Sequence, residues 1–426
     1  MKLKFLDLFA GAGGLSEGFI QAGYIPVAHV EMDKAACNTL RTRTVYHELK
    51  QTAEGRSIYV QYLNGEIDRT KLYSMVSPKS LESVIEETIG SSTIDDIFKK
   101  IDALKGENEI DVIIGGPPCQ AYSIVGRSRK GVAMKTDERN YLFKYYVKFL
   151  QKYQPRYFVF ENVTGLGSAK DENGTGFFEQ VLSALESAGY HVYLHIFRTE
   201  LYGIPQRRRR VILIGCRIDC DSNGNIKVPE TGECPLTINE LFSDLRSIQA
   251  GEGNIRGDGC RKSVKKKNNW MIKNLISDEF YPVTYHQARP TNDHDKDIYH
   301  RAVKMWNDEK RRFNYAIDQP KDKQTHRNIK SFLDRFKVIG GDERASHTIV
   351  AHITKDGHYY IHPDIRQNRS ITPREAARLQ TFPDDYFFES GTTKDGRGCA
   401  FKQIGNAVPV MLARLIAHAL KDKLCS

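Results

Sequence analysis

The sequence lacks the features that mark membrane, secreted and zinc-binding proteins. It contains no apolar run that approaches the length of a membrane span. A strand-like segment begins almost at the first residue, so we expect no signal peptide. The eight cysteines are scattered without CxxC pairs, which predicts reduced thiols in a cytoplasmic protein. We therefore expect neither a membrane nor a metal ion as a partner.

Composition favours a negatively charged partner. The 426 residues are 40% hydrophobic and 27% charged, which is ordinary for a protein with a packed core, and the length suggests two domains. The net charge of +10 favours a polyanion such as nucleic acid. Seven Lys or Arg residues and one acid lie between Arg256 and Lys273, and a second basic cluster occupies 310–312. A basic run is a solvated surface about as often as it is a binding site, so charge alone does not identify the partner.

Strand-like and helix-like segments alternate through the first half of the chain. Strands are predicted at 2–9, 25–31, 110–115, 157–161, 190–197 and 211–216, and helices at 15–22, 142–150 and 177–188. This alternation predicts an α/β fold with a Rossmann-like, mostly parallel sheet. Residues 41–109 lean towards helix, because Leu81, Val84, Ile85 and Ile89 have helical spacing. We expect a helical insertion or packing layer there.

The character of the chain changes after Arg217. Residues 218–345 are polar and charged, and they are predicted to form a second, smaller domain beside a first domain of residues 1–217. Residues 346–426 are predicted to return to the first domain. Within them we expect a hairpin over 347–362, a helix capped by Thr372, and a final helix over about 408–421.

A single cysteine follows the strand predicted at 110–115. Residues 115–120 read Gly-Gly-Pro-Pro-Cys-Gln, so two prolines fix the backbone before Cys119 and two glycines allow another molecule to approach. A thiol held rigidly at a strand end suits a nucleophile. A lone buried cysteine is usually inert, so this motif needs support from the rest of the chain.

A glycine-rich turn follows the first predicted strand. Residues 9–14 read Phe-Ala-Gly-Ala-Gly-Gly, and the second strand ends at Glu31. Ligands of open α/β sheets bind beyond the carboxyl ends of the strands, and a carboxylate there suits two ribose hydroxyls. The turn lacks the GxGxxG spacing of a pyrophosphate site. The pattern favours a nucleoside without a pyrophosphate, such as S-adenosylmethionine.

Four further motifs complete an ordered set. They are Glu-Asn-Val at 161–163, Gln-Arg-Arg-Arg-Arg at 206–210, Arg-Glu-Ala-Ala-Arg-Leu-Gln at 374–380 and Gln-Ile-Gly-Asn-Ala-Val-Pro at 403–409. With the glycine turn and the Pro-Cys segment, in this order, they resemble the DNA (cytosine-5) methyltransferase family of bacterial restriction-modification systems. The resemblance runs out over about 41–109 and 220–345.

The resemblance implies a set of residues around S-adenosylmethionine. They are Phe9, Gly11, Ala12, Gly13, Gly14, Leu15, Glu31, Met32, Pro118, Leu142, Asn406 and Val408. The family also places an aspartate against the adenine amine. Asp95, Asp96 and Asp102 all remain candidates for it, because the register before the Pro-Cys segment is unclear.

The resemblance also implies the reaction centre. The Cys119 thiolate adds to carbon 6 of cytosine and makes carbon 5 reactive, and Glu161 contacts ring nitrogen 3 as an acid of raised pKa. On a strand, Gln206, Arg208 and Arg210 share one face. We assign Arg210 to the base pocket, where it lowers the pKa of Cys119, and Arg208 to the loop or a phosphate.

Duplex DNA is the expected substrate. A base must leave the helix before its carbon 5 can enter a pocket. The polar, basic segment 120–139 has glycine hinges and suits a lid over DNA. The expected DNA contacts are Gln120, Ser123, Arg127, Lys265, Lys266 and Lys267. We expect a monomer whose functional partner is a cognate restriction endonuclease, with 218–345 reading the sequence.

Three alternatives remain at this point. A tRNA cytosine-5 methyltransferase shares the first domain but typically carries a Cys-Phe-Thr segment, which this sequence does not have. A catalytically inactive DNA-binding relative would be expected to lose the nucleophile or the cofactor glycines, and both are present. An NAD-dependent oxidoreductase is the remotest alternative. Binding of S-adenosylmethionine rather than NAD would distinguish the methyltransferase from it.

Overall fold

The structure is a computed structural model. It describes residues 2–117, 141–162, 165, 167, 170, 174–220, 224–257, 269–325, 328–392 and 396–425. Several predicted site residues lie outside these ranges. They are Pro118, Cys119, Gln120, Ser123, Arg127, Lys265, Lys266 and Lys267.

A seven-stranded sheet forms the centre of the fold, in the order β3-β2-β1-β4-β5-β8-β6. Its strands are β1 (Lys4–Leu8), β2 (Ile25–Glu31), β3 (Val84–Glu86), β4 (Val112–Gly115), β5 (Tyr157–Asn162), β6 (Tyr190–Arg198) and β8 (Arg209–Arg217). Strands β1 to β5 run parallel, and β8 lies antiparallel between β5 and β6. The predicted mostly parallel α/β sheet is confirmed.

Helices connect the strands and complete the chain. They are α1 (Gly14–Gln21), α2 (Lys34–Leu49), α3 (Ala53–Asn64), α4 (Arg69–Tyr73), α5 (Pro78–Glu82), α6 (Ile94–Lys105), α7 (Leu142–Tyr153), α8 (Phe177–Ser187), α9 (Ile238–Leu241), α10 (Asn269–Lys273), α11 (Asp293–Glu309), α12 (Tyr315–Asp318), α13 (Pro373–Leu379), α14 (Arg397–Asn406) and α15 (Val410–Cys425). Short strand pairs join β7 (Gln206–Arg207) to β11 (Ser346–His347), and β9 (Gly253–Asn254) to β10 (His286–Gln287). Among the described residues, no helix combines the length and apolarity that crossing a bilayer needs.

Both faces of the sheet are covered, because its strands are apolar on both sides. On one face, Phe5 and Ile212 pack with α1 and with Leu412 and Ile416 of α15. On the other face, β1, β4 and β5 pack against α6, α7 and α8. Helix α15 therefore places the C-terminal segment against this face of the sheet. The carboxyl ends of β1, β2, β4 and β5 meet at one edge of the sheet.

A further core joins distant parts of the chain. Helices α2 and α3 contribute Tyr46 and Tyr59, residues 238–285 contribute Leu241 and Tyr285, and the return segment contributes Phe387. A separate apolar cluster gathers residues of 298–361. Residues 41–64 therefore pack mainly with the later parts of the chain, and the predicted domain boundaries stay a prediction.

Two predictions from sequence patterns are wrong. Residues 84–86 form the edge strand β3, whose side chains lie opposite those of β2, because three residues are too few for helical spacing to distinguish helix from strand. The hairpin expected at 347–362 is replaced by β11, a 3₁₀ turn at Ala351–Thr354 and a turn at Asp356. There the backbone N–H of His358 donates to the Asp356 carboxylate (3.0 Å), which also pairs with Arg335 (2.5 Å). By contrast, the capping box between Thr372 and Glu375 at the start of α13 is confirmed.

Candidate active site

The glycine-rich turn after β1 has a backbone conformation that residues other than glycine rarely adopt. Phe9, Gly11 and Gly13 have φ values of 56°, 54° and 79°, in the left-handed region that favours glycine. A Cβ at Gly13 would lie 2.8 Å from Leu40 Cδ2. One at Gly14 would lie 2.5 Å from the carbonyl oxygen of Val408. The turn therefore packs between α2 and the return segment, and Val408, a predicted cofactor residue, lies beside it.

Glu31 is held at the same edge by the backbone. Its Oε2 accepts a hydrogen bond from the N–H of Gly11 (2.8 Å), and its Oε1 accepts from the N–H groups of Met32 (2.8 Å) and Asp33 (2.7 Å). Burial raises the pKa of Glu31, and these three N–H groups oppose the rise. Oε1 already accepts two hydrogen bonds and Oε2 accepts one, so Oε2 keeps acceptor capacity for a further donor. The neighbouring Met32 is 64% exposed, so it is free to cover a flat ligand.

The other predicted cofactor residues lie at different depths. Ala12 and Leu15 are buried in the turn and the first turn of α1. Asn406 ends α14 and is exposed, while Leu142 begins α7 and is half-buried. The geometry thus brings the turn, Glu31 and Val408 together, and Leu142 has no contact to them that the structure describes.

The start of the Pro-Cys segment is described, although Cys119 is not. A Cβ at Gly115 would lie 2.2 Å from the carbonyl oxygen of Leu8, and a Cβ at Gly116 would lie 2.6 Å from Oε2 of Glu161. The end of β4 therefore lies directly between β1, which carries the glycine turn, and β5, which carries Glu161. Two residues lie between Gly116 and the cysteine.

Glu161 and Arg210 form a close ion pair. Arg210 Nε lies 2.5 Å from Glu161 Oε1, and the two side chains are 11% and 16% exposed. Burial raises the pKa of Glu161, and the charge of Arg210 opposes this without reversing it. A carboxyl group whose pKa is raised in this way is better suited to donate a proton to a buried ring nitrogen.

The structure corrects the role of Arg208. Its side chain is 1% exposed, with Nη1 donating to the Ile349 carbonyl (2.5 Å) and Nη2 to the Gly405 carbonyl (3.1 Å). Because both carbonyls belong to the return segment, Arg208 joins two parts of the fold and does not face a phosphate. The predicted alternation itself holds, since Gln206 is buried whereas Arg207 and Arg209 are exposed.

None of the three candidate aspartates contacts the described cofactor residues. Asp96 pairs with Lys99 and Asp102 with Lys152, both at 2.9 Å, and Asp95 is exposed in the first turn of α6. The acids nearest Glu31 at the carboxyl end of β3 are instead Glu86, opposite it in register, and Glu87, whose N–H donates to the Glu31 carbonyl (2.9 Å). Sequence reasoning missed them because it interpreted 81–89 as helix. The sequence did carry a signal for a strand end, because the apolar Val84 and Ile85 are followed by the acidic Glu86 and Glu87.

Comparisons with known proteins agree with this geometry. The family model described as C-5 cytosine-specific DNA methylase matches residues 3–68 and 77–422. The chain is 35% identical to type II methyltransferase M.Bpa9945I of Bacillus paralicheniformis, over 98% of both chains. It is 30% identical to type II methyltransferase M.DdeI of Desulfomicrobium norvegicum, over 98% of this chain and 88% of the relative.

Solved structures share the fold. A candidate DNA modification methyltransferase encoded within a prophage (E. coli) matches over 100% of both chains, with a TM-score of 0.63 and 22% identity. The methyltransferase EhMeth of Entamoeba histolytica matches over 100% of this chain and 99% of its own, with a TM-score of 0.53 and 14% identity.

Proposed function

Because this chain belongs to the C-5 cytosine-specific DNA methylase family, and is a DNA cytosine-5 methyltransferase, we propose that it methylates a cytosine flipped out of duplex DNA, through a transient bond to Cys119. The observation that carries the proposal is the position of Gly116. It lies against Glu161, which pairs with Arg210, and it begins the segment that leads to the cysteine.

Each step of the proposed reaction conserves atoms and charge. The Cys119 thiolate adds to carbon 6 of cytosine, and the electron pair moves towards nitrogen 3. The proton held on Glu161 hydrogen-bonds to nitrogen 3 and stabilises that charge. Carbon 5 then bonds to the methyl group that S-adenosylmethionine would supply, and the methyl–sulfur bond breaks with its electron pair passing to sulfur. Water takes the carbon 5 proton, and the thiolate departs as the double bond between carbons 5 and 6 re-forms.

Arg210 supports this chemistry through Glu161. Its guanidinium fixes the carboxyl group at 2.5 Å and keeps one oxygen engaged, so the other oxygen faces Gly116 and the end of β4. The raised pKa of Glu161 shows that burial outweighs the charge of Arg210. The pair therefore combines a fixed orientation with a carboxyl group whose pKa is raised by burial, which favours proton donation.

The residues at the sheet edge fit S-adenosylmethionine, which supplies the methyl group when bound. Glu31 offers a fixed carboxylate to the ribose hydroxyls, since its Oε2 accepts only one of the three present hydrogen bonds and keeps a free acceptor site. Exposed Met32 can cover the adenine. A Cβ at Gly11 would meet no atom within 4 Å, so the space beside Gly11 leaves room for the amino acid end.

The curated relatives named type II methyltransferases support a restriction-modification role. We propose that methylation protects host DNA in the cytoplasm from a cognate endonuclease. We further propose that the chain acts as a monomer in which residues 218–345 read the sequence and Lys265, Lys266 and Lys267 hold phosphates. Phosphate contacts position a duplex without reading it.

A mechanism-based trap tests the function. A duplex substrate with fluorine at carbon 5 of the target cytosine should form a denaturation-resistant complex when S-adenosylmethionine is added, because the fluorine cannot leave as a proton does. Cys119→Ser should bind cofactor and duplex but form no complex and no methylated product. Methylation of plasmid DNA, mapped by bisulfite sequencing, gives the recognition site. Turnover by Cys119→Ser, or no trapped complex with the unaltered enzyme, would contradict the proposed mechanism.

A further inference from the structure

Two arginines face each other across the β6–β8 ladder. Arg198 lies directly opposite Arg209 in the antiparallel register, one position beyond the pair Phe197 and Arg210. Directly opposite residues project from the same face, with Cβ atoms about 4.5–5.5 Å apart, and like charges in this arrangement are destabilising. A pair of this kind needs a compensating negative charge.

The protein supplies only part of that charge. Arg198 pairs with Glu200, with Nη2 to Oε1 at 3.0 Å, and its side chain is 53% exposed. The exposed Arg209 side chain makes no hydrogen bond or ion pair with any residue that the structure describes. A described carboxylate therefore neutralises only one of the two guanidinium groups, and their surface keeps a net positive charge.

The pair lies on the rim of the proposed base pocket. Arg209 directly precedes Arg210, which contacts Glu161 at 2.5 Å, and β8 begins at the edge where β4 and β5 end. Because neighbouring residues of a strand point to opposite faces, Arg210 faces the pocket while Arg209 faces outward beside it. A strand of DNA whose base enters the pocket passes close to this rim.

We propose, on the basis of the DNA substrate proposed above, that Arg198 and Arg209 bind one phosphodiester group of the DNA near the flipped nucleotide. Guanidinium groups bind phosphate oxygens with paired, charge-assisted hydrogen bonds. Binding an anion there relieves the repulsion between the two arginines. The contact holds the backbone while the base is out of the helix, and it reads no sequence.

Substitution of the pair tests this site. Arg198→Gln, Arg209→Gln and the double variant should weaken binding of target and scrambled duplexes alike, by roughly tenfold or more in the double variant, since the charge-assisted contacts of both guanidinium groups are lost. The slope of log affinity against log salt should fall in magnitude by about 0.9 for one lost phosphate. Glu200→Gln should change binding in the opposite direction, because it removes the carboxylate that competes for Arg198.

Arg217 provides a matched control on the other end of β8. It too pairs with an acid two residues later, since its Nε lies 2.7 Å from Asp219. Arg217→Gln should leave duplex affinity and salt slope unchanged. Melting temperature and S-adenosylmethionine affinity of all variants should match the unaltered enzyme, which shows that the fold and the cofactor site are intact.

The outcomes separate this site from the proposed function. If the unaltered enzyme binds and methylates DNA but the double variant has the same affinity and salt slope as Arg217→Gln, the phosphate site is wrong and the function stands. A loss confined to the target duplex means that the pair reads bases, which also overturns it. If the unaltered enzyme neither binds nor methylates any duplex, the proposed function itself fails.

Discussion

The hydroxyl of Tyr386 donates a hydrogen bond to the carbonyl oxygen of Ala12 at 2.5 Å, although 374 positions separate the two residues. Tyr386 is 1% exposed, and its oxygen would lie 3.0 Å from a Cβ at Gly13. The return segment thus forms one wall of the glycine turn. The shape of the cofactor site depends on how the C-terminal part of the chain packs.

Removing that hydroxyl should weaken cofactor binding selectively. In Tyr386→Phe the buried Ala12 carbonyl loses its partner, which costs about 1–3 kcal/mol, and part of this cost falls on the conformation that binds S-adenosylmethionine. The KM for the cofactor should rise by roughly 3- to 10-fold, with kcat within about twofold of the unaltered value. Steady-state kinetics measures both.

Tyr190 is the control for this substitution. It is also buried and donates to a backbone carbonyl, that of Pro155, at 2.9 Å, but it belongs to the far end of β6. Tyr190→Phe should lower the melting temperature without changing the KM for the cofactor. Equal KM values for both variants and the unaltered enzyme would show that the Tyr386 contact serves stability alone.

Glu31→Ala should weaken S-adenosylmethionine binding by at least about tenfold. Hydrogen bonds to a charged group each contribute about 1.5–3 kcal/mol, and the carboxylate is already oriented by three N–H groups. Calorimetric titration gives the affinity. Glu48→Ala, on the exposed end of α2, is the control and should bind normally; a Glu31→Ala affinity equal to that of the control argues against the ribose contact.

Glu161→Gln should lower kcat by about 10²–10⁴ while leaving duplex and cofactor affinity nearly unchanged, because an amide cannot supply the proton. Burial raises the pKa of Glu161, so the activity of the unaltered enzyme should fall as the pH rises through that pKa and the carboxyl group ionises. Rapid-quench measurement of one turnover across a pH series checks both effects.

Glu343 offers a comparison for the Glu161 substitution. It pairs with Arg207 at 2.6 Å in an exposed position, so it resembles the Glu161–Arg210 pair without its burial. Glu343→Gln should retain nearly full activity. An equal loss of kcat in both variants would indicate that each substitution acts by disturbing the arginines at 207–210, and not by removing a proton donor.

Stability should fall in mild acid because of His362. Burial lowers the pKa of His362 to about 3, helped by the charge of Arg369 and opposed by Glu375, which lies 3.5 Å away. Between pH 3 and the ordinary histidine pKa of about 6.5, the unfolded chain binds more protons than the folded one, so stability decreases as the pH falls. Up to about 2 kcal/mol should be lost from pH 7.5 to 5 through this group.

Urea unfolding at several pH values measures that loss. His362→Gln removes the titrating group, so its stability should change less between pH 7.5 and 5 than that of the unaltered protein. His191→Gln, at an exposed position of β6, should keep the full pH dependence. An unchanged pH dependence in His362→Gln would mean that other groups dominate the acid response.

The sequence alone determined the local elements and the family. Strands β1, β2, β4, β5, β6 and β8 and helices α1, α7 and α8 lie where apolar periodicity predicts them. This succeeded because these segments are long enough to show a period, and because glycine and proline mark their ends. Four of the six ordered motifs place a reactive or conformationally special residue next to a strand end, whereas the motifs at 374–380 and 403–409 begin on helices α13 and α14.

Only the tertiary structure decided which partners those residues have. Alternation placed Arg208 and Arg210 on one face, yet Arg208 binds the carbonyls of Ile349 and Gly405 whereas Arg210 binds Glu161. The three-residue β3 shows no period and exists because β2 offers it a hydrogen-bonding edge. The contact between Tyr386 and Ala12 likewise exists only because the return segment packs against the glycine turn. Side-chain direction is a local property of the backbone, but the group that it meets depends on the packing of chain segments hundreds of residues away.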